Sequence, residues 1–302
     1  MPLWMGSTAD GITWQDAPVR PRLILLTAAA SCAALHVAGV LTANPIWRYA
    51  EVLSIGLLLA YAIVSRAQSS RWALWAALAV LLVDAVRTTP AARSSDSYGV
   101  VVYAPGSNID TPSAFESGLS LCWPLLTAVG VLLVAWRRGG WHRHTVAPAV
   151  VGAALIIGYA VFRVVGIWRA VAAEPPRASG TDEAETMMAV STAVLPPLVL
   201  GITALVLTAA LAGHGRRLAS VGAALLAFMA LPLMDTCIDM VPMPLSVGSD
   251  NALFAWHAIT PTLSIPQPMP ALTAAVELTA YLLLVAGLAD RPGRTRAPAT
   301  EV

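Results

Sequence analysis

Charged residues are scarce in this sequence, and lysine does not occur in it at all. Asp, Glu, Lys and Arg together make up 12% of the 302 residues, and every one of the 18 basic residues is arginine. A soluble domain is about 25% charged, so the composition excludes an ordinary soluble globular domain. The hydrophobic fraction of 57% and the mean hydropathy of +0.71 indicate an integral membrane protein instead.

Motifs for several kinds of chemistry are missing as well. The sequence contains no phosphate-binding glycine-rich loop, no HExxH, no GxSxG and no lysine for a Schiff base. The net charge of +1, without a basic stripe that has interleaved aromatic residues, argues against a nucleic-acid partner. We therefore expect no ATP hydrolysis, no zinc proteolysis, no cofactor and no nucleic acid.

Apolar windows of about 17–25 residues, the length that a helix needs to cross a bilayer, recur along the chain. They predict an all-α fold, a polytopic integral membrane bundle of about eight transmembrane helices in one domain over residues 23–289. The first window follows Arg20 and Arg22 and resembles a signal peptide, but at about 20 residues it is long enough for a retained helix. The predicted spans are 23–42, 48–65, 72–90, 118–136, 147–168, 188–212, 218–239 and 271–289.

Arginines mark alternate loops, and this pattern predicts the orientation of the bundle. The short, arginine-bearing connections are 66–71, 137–144 and 215–217. The longer connections, mixed or acidic, are 91–117, 169–187 and 240–270. Arginine holds short loops in the cytoplasm, so residues 1–22 and a disordered tail, 290–302, are expected inside. Arginine without lysine, together with abundant Ala, Val and Leu, suggests a GC-rich genome and the plasma membrane of a bacterium.

Ionisable residues recur within the spans at a similar distance from the arginine-rich ends. In the third span, only about 12 apolar residues, or about 18 Å of helix, separate Arg71 from Asp84. Charges inside a membrane cost about 2.5–3.5 kcal/mol each on insertion scales, so they usually face the bundle interior and find partners. We predict an outward-facing polar binding site in the outer leaflet, above an apolar floor. Its candidate residues are His36, Glu51, Asp84, Arg87, Arg163, Asp235, Asp239 and Glu277.

A purely structural interpretation of the same residues is also open. Asp84 and Arg87 are spaced i, i+3 and can neutralise each other on one helix. Arg163 can extend to the interface, and Asp235 with Asp239 can be the hydrated end of the seventh span. In favour of a site, the acids outnumber the arginines and leave at least one carboxylate without a basic partner, which suits proton transfer or cation binding.

Three functions fit these observations. In the first, a transporter or permease-like protein handles protons or a small or cationic solute, with Asp84, Asp235 and Glu277 as ligands and Arg87 and Arg163 balancing charge. In the second, a membrane-embedded enzyme uses a protonated carboxylate as general acid on a lipid or isoprenoid. In the third, a non-catalytic subunit pairs its charges with a partner membrane protein.

The outer connections carry three further expectations. Cys122 and Cys237 lie near the outer ends of their helices, where they could be oxidised to a disulfide, but two buried free thiols are favoured. Methionines cluster there with Cys237 and His257, a soft-ligand set for Cu(I), but their spacing matches no metal motif, so no metal site is predicted. The β-prone run VVVY beside a Pro-Gly turn in 91–117 predicts a small hairpin.

Overall fold

The computed structural model describes most of the chain between Val19 and Ala289. The described residues are 19–65, 71–91, 100–103, 111–136, 143–172, 183–241, 243–247, 251–257 and 268–289. The helices are α1 (Val19–Leu41), α2 (Pro45–Arg48), α3 (Ala50–Val64), α4 (Arg71–Ala91), α5 (Thr111–Trp136), α6 (Arg143–Ala172), α7 (Glu183–Gly213), α8 (Arg217–Asp239) and α9 (Pro268–Ala289). The strands are β1 (Val100–Tyr103), β2 (Met243–Val247) and β3 (Asn251–His257). Most of the predicted N-terminal segment and the whole predicted tail lie outside the described residues.

The predicted polytopic helical bundle is confirmed. Seven stretches of the described chain are long and apolar enough to cross a membrane. The remaining predicted span coincides with α4, whose 21 residues correspond to about 31 Å of helix. The chain is thus a multi-pass membrane protein, and the side on which its termini lie stays a prediction.

Several helix boundaries differ from the predicted spans. The window 48–65 is interrupted at Tyr49, which separates the short α2 from α3. Asn44 caps α2, because its side-chain oxygen accepts a hydrogen bond from the Ile46 N–H at 3.1 Å. Helices α6 and α7 have 30 and 31 residues, so each is about 45 Å long and extends beyond a hydrocarbon core of about 30 Å. Hydropathy windows detect only the apolar part of such helices.

The helices close into a ring of contacts. Helix α1 packs on α3, α3 on α4, α4 on α5, α5 on α7, α7 on α8, α8 on α9, and α9 again on α1. Helix α6 lies outside this ring against α7 and α8, and only 11% of its span is buried. The interior of the ring is therefore lined by seven helices and not by all eight.

Helices α8 and α9 approach each other closely at two glycines. A Cβ atom on Gly222 would lie 2.7 Å from the carbonyl oxygen of Ala280, and a Cβ atom on Gly287 would collide with the backbone of α8. Small residues at such contacts let membrane helices pack backbone to backbone. Arg216 donates to the carbonyl oxygens of Gly287 and Leu288 at 3.1 and 2.7 Å, which satisfies carbonyls at the end of α9.

The predicted β-prone run is a strand, but its partner comes from another connection. Strand β1 pairs with β3 in antiparallel fashion, and β2 pairs with the other edge of β3. Val100 lies opposite His257, and Met243 lies opposite Ala255. The α4–α5 and α8–α9 connections are therefore joined to each other. The expectation of a local hairpin was wrong about the partner of β1, because strand propensity identifies a strand and not what it pairs with.

Candidate functional site

His36 and Glu51 meet where the chain turns from α1 into α3. The turn and the short α2 bring the start of α3 back against the last turns of α1. Nδ1 of His36 lies 2.9 Å from the backbone carbonyl oxygen of Arg48, and since a carbonyl only accepts, Nδ1 is the donor. The other ring nitrogen, Nε2, lies 3.7 Å from Oε2 of Glu51. Nε2 is therefore the ring atom that exchanges a proton, and it faces a carboxyl group.

The close approach of α1 and this turn depends on Gly39. A Cβ atom at that position would lie 2.7 Å from Cβ of Trp47. Deeper in the bundle, the buried Ser54 of α3 donates to the carbonyl oxygen of Ala29 in α1 at 3.0 Å. These contacts hold α1 and α3 together and fix the distance between His36 and Glu51.

Asp84 and Glu277 join this pair, and we call the four residues His36, Glu51, Asp84 and Glu277 the acidic cluster. Glu277 interacts electrostatically with the other three, and Glu51 interacts with Asp84. The residues come from α1, α3, α4 and α9. Helices that alternate in direction bring the late residues of α1 and α4 level with the early residues of α3 and α9.

The carboxyl groups of the acidic cluster have few cationic neighbours. Arg87, one turn after Asp84, attracts that carboxylate from an exposed position. His36 acts on Glu51 and Glu277. Tyr281, one turn after Glu277, donates its hydroxyl to Oε1 at 2.5 Å. Within the described part of the chain, three carboxyl groups thus face one arginine, one histidine and one tyrosine hydroxyl.

Arg48 is an unusual member of this region. Its side chain is only 8% exposed, and its Nε and Nη2 atoms find no hydrogen-bond partner among the described residues. Its charge acts on His36, whose ring is bonded to the Arg48 carbonyl. Burying a guanidinium with unused donors is costly, so an acceptor group beside Arg48 would be strongly stabilised.

Arg163 and Asp235 lie apart from the acidic cluster and form an ion pair between α6 and α8. Arg163 Nε is 2.7 Å from Asp235 Oδ1, although the two atoms are not aligned as a hydrogen bond. Tyr159 donates its hydroxyl to Asp235 Oδ2 at 2.7 Å. The side chains of the pair are 35% and 38% exposed, on the outer side of the ring. Asp239 is the exposed last residue of α8. The ionisable residues that were predicted to share one polar site thus lie in two places, the acidic cluster and the surface between α6 and α8.

An apolar cleft adjoins the acidic cluster. It is lined by side chains of α4, α5, α8 and α9, with Tyr281 at its border and aliphatic residues elsewhere. Leu81 of α4 lines the cleft, and Asp84 follows it by one turn on the same helix. Tyr281 of α9 also lines the cleft, and it lies one turn after Glu277 on the same helix. The cleft therefore extends from the acidic cluster toward the arginine-rich end of α4, which is predicted to be cytoplasmic.

Three residues of these groups were missed from the sequence, although each had a signal. Arg48 begins a predicted span and adjoins a short connection assigned to the outer side, whereas the short connections that carry arginine are assigned to the cytoplasm. Tyr281 and Tyr159 lie four residues from Glu277 and Arg163, a spacing that puts each pair on one helix face. A hydropathy scale distinguishes charged residues from apolar ones, but it does not identify the tyrosine hydroxyls that form hydrogen bonds with the charged groups.

The structure describes only part of the soft-ligand set formed by the outer methionines, Cys237 and His257. Met234 and Cys237 are buried in α8, and the side chain of His257 lies outside the described residues. Among the residues that the structure describes, no group of three or more His, Cys, Asp or Glu side chains could hold a metal ion. No protein-family model, curated protein or solved structure matches this chain.

Proposed function

We propose that this chain is a permease-like membrane protein that binds a proton or a small cation at the acidic cluster. The observation that carries the proposal is the convergence of Glu51, Asp84 and Glu277 from three helices with few cations beside them. Carboxylates held together in a bundle repel one another, so a bound proton or cation lowers their energy. Ionisable groups inside membrane bundles commonly mark ion pathways and proton relays.

His36 supplies a proton acceptor that faces the acids. Its Nδ1 is held by the Arg48 carbonyl, which leaves Nε2 to exchange a proton with Glu51 across 3.7 Å. The two atoms would reach hydrogen-bond range if this distance shortened by about 0.5–1 Å. We expect a proton to pass between Nε2 and the Glu51 carboxyl group, and Glu277 to act as the deeper acceptor.

The apolar cleft supplies a barrier on one side of the acidic cluster. Its aliphatic lining offers neither hydrogen-bond partners nor charges to a passing ion. A permease requires access to its site from one side at a time, so we expect the resting protein to be closed along this cleft. Movement of α4 or α9 would be needed to open it.

Proton flux in proteoliposomes that contain a pH-sensitive dye tests this proposal. An imposed gradient should drive flux in the wild type, and Glu277→Gln and Asp84→Asn should each reduce the rate at least tenfold. Glu116→Gln serves as the control, because this exposed residue of α5 lies outside the acidic cluster and its variant should retain the wild-type rate. Equal rates in all four proteins, or rates equal to those of empty liposomes, would refute the proposal.

A second candidate is the membrane-embedded enzyme that acts on a lipid or isoprenoid. The apolar lining of the cleft favours it: the volume is about 20 Å³, so the cleft would have to widen to admit an alkyl chain, whose polar end would then lie beside Glu277 and Tyr281. Incubation with a lipid extract in the absence of a gradient should then give a converted product. Ala77→Trp, which fills the cleft, should abolish conversion, whereas Ala79→Trp on the exposed face of α4 should not. Conversion that Ala77→Trp leaves intact would contradict this candidate.

The partner-subunit function has less support. Arg163, the charge expected to pair with another protein, has Asp235 of the same chain as its counterion. The charge thus needs no second chain for its neutralisation.

A further inference from the structure

Two cysteines from different helices lie in contact at one end of the bundle. Cys122 of α5 and Cys237 of α8 are 0% and 1% exposed, and the two thiols interact with each other. Sγ of Cys237 lies beside Gly118, 3.5 Å from the position that a Cβ atom on this glycine would take, and Cys122 follows Gly118 by one turn of α5. The two sulfur atoms are thus neighbours in the interior of the bundle, and a disulfide requires the Cα atoms of the two residues to lie about 4.4–6.8 Å apart.

The position of the pair in the fold indicates what a bond between them would do. Cys237 lies two residues before the end of α8, and α5 begins after the connection that contains β1. The connection after α8 contains β2 and β3, and β3 pairs with β1. The sheet and the thiol pair therefore link the same two regions of the chain, at the end of the bundle that the arginine pattern assigns to the outside.

We infer that Cys122 and Cys237 form a disulfide bond when this end of the bundle faces an oxidising compartment. The proposed site is a modification site, and its co-reactant is a disulfide-bearing thiol oxidant of that compartment, either a protein or a small molecule. Cys32 lies on α1 and is not part of the pair.

The reaction is a thiol–disulfide exchange in two steps. The thiolate of one cysteine attacks a sulfur atom of the oxidant, forms a mixed disulfide and displaces the first thiol of the oxidant. The thiolate of the other cysteine then attacks the protein sulfur of the mixed disulfide and displaces the second thiol. The two cysteines lose two electrons and two protons, and the oxidant gains both as its disulfide becomes two thiols. Because both cysteines are shielded in the folded bundle, the exchange takes place while α5 and α8 assemble.

Maleimide labelling after denaturation measures the bond directly. The chain has three cysteines, so protein purified from membranes without reductant should take up one maleimide, on Cys32, and three after reduction. Its unlabelled mass should lie about 2 Da below that of the reduced chain, which corresponds to two hydrogen atoms. Cys122→Ser should take up two maleimides with or without reductant, and Cys32→Ser should take up none before reduction.

Thermal unfolding gives a second readout that does not require a variant to fold. Cross-linking residues 115 positions apart in the sequence (237 minus 122) restricts the unfolded chain, so reduction should lower the apparent Tm by about 5 °C or more. Uptake of three maleimides by unreduced protein, even after refolding in the presence of oxidised glutathione, would overturn the inference. One maleimide on Cys122 or Cys237 in place of Cys32 would overturn it as well.

Discussion

Replacement of Glu277 by glutamine tests whether this acid is needed for function or for the stability of the fold. Glutamine has nearly the same size and keeps an oxygen that accepts the hydrogen bond from Tyr281, which is 2.5 Å long in the structure. The substitution removes the charge that interacts most with Glu51, then with His36, and least with Asp84. A residue present only to stabilise the fold would make the protein less stable when it is replaced.

The magnitude follows from the surroundings of Glu277. A carboxylate within a span costs about 2.5–3.5 kcal/mol on insertion scales, and an uncharged amide avoids most of that cost and the repulsion from two acids. Loss of the attraction to His36 offsets about 1 kcal/mol of the gain. We therefore expect Glu277→Gln to increase the free energy of unfolding by about 1–2 kcal/mol while flux is lost. Such an exchange of stability for activity is common at functional sites.

Unfolding in mixed detergent micelles, followed by circular dichroism, measures this free energy. Glu277→Ala is the matched comparison, because it leaves the buried Tyr281 hydroxyl without its acceptor and should cost about 1–3 kcal/mol relative to Glu277→Gln. Glu116→Gln, at an exposed position of α5, should change the free energy by less than about 0.5 kcal/mol. If Glu277→Gln lowers the stability by 1 kcal/mol or more, the carboxylate is a structural partner and the reasoning is refuted.

The remaining predictions concern the packing of α8 and the ion pair outside the ring. Gly222→Ala should destabilise the bundle by about 1–3 kcal/mol, because a Cβ atom would lie 2.7 Å from the Ala280 carbonyl oxygen. Gly130→Ala, with no neighbouring atom within 4 Å of its Cβ atom, should be neutral or stabilising by up to about 1 kcal/mol, and equal effects in the same micelle assay would contradict the packing argument. A double-mutant cycle with Arg163→Gln and Asp235→Asn should give a coupling energy of about 1 kcal/mol or less, because both side chains are more than a third exposed. A coupling above about 2 kcal/mol would show that the pair is effectively buried.

Membership of the acidic cluster could be predicted in part from the sequence. His36, Glu51, Asp84 and Glu277 were identified because each is ionisable within an apolar window, and counting residues along each helix placed them near one depth. The same count included Arg163 and Asp235, which the structure places together on the outer side of the ring. Depth along a helix is a one-dimensional quantity, and it contains no information about which helices are neighbours.

The proximity of Cys122 and Cys237 also could not be predicted from the sequence. Their positions near helix ends left a disulfide less favoured than two separate thiols, because no sequence feature indicates that α5 and α8 meet there. The contact depends on the way in which both helices pack along α7. Likewise, strand propensity identified β1, but β3 as its partner required the two connections to lie side by side.

By itself, the sequence determined that the chain is a multi-pass helical membrane protein, where its spans lie, and which residues are ionisable within them. These properties depend on hydropathy, helix rise and loop charge, and all three can be calculated along the chain without knowledge of contacts. Tertiary structure alone decided that α1, α3, α4 and α9 share the acidic cluster, that Arg163 pairs with Asp235, and that two thiols meet. Interhelical contacts depend on small residues such as Gly39 and on packing between distant segments, and in this chain of Ala, Leu and Val many arrangements fit the same apolar pattern.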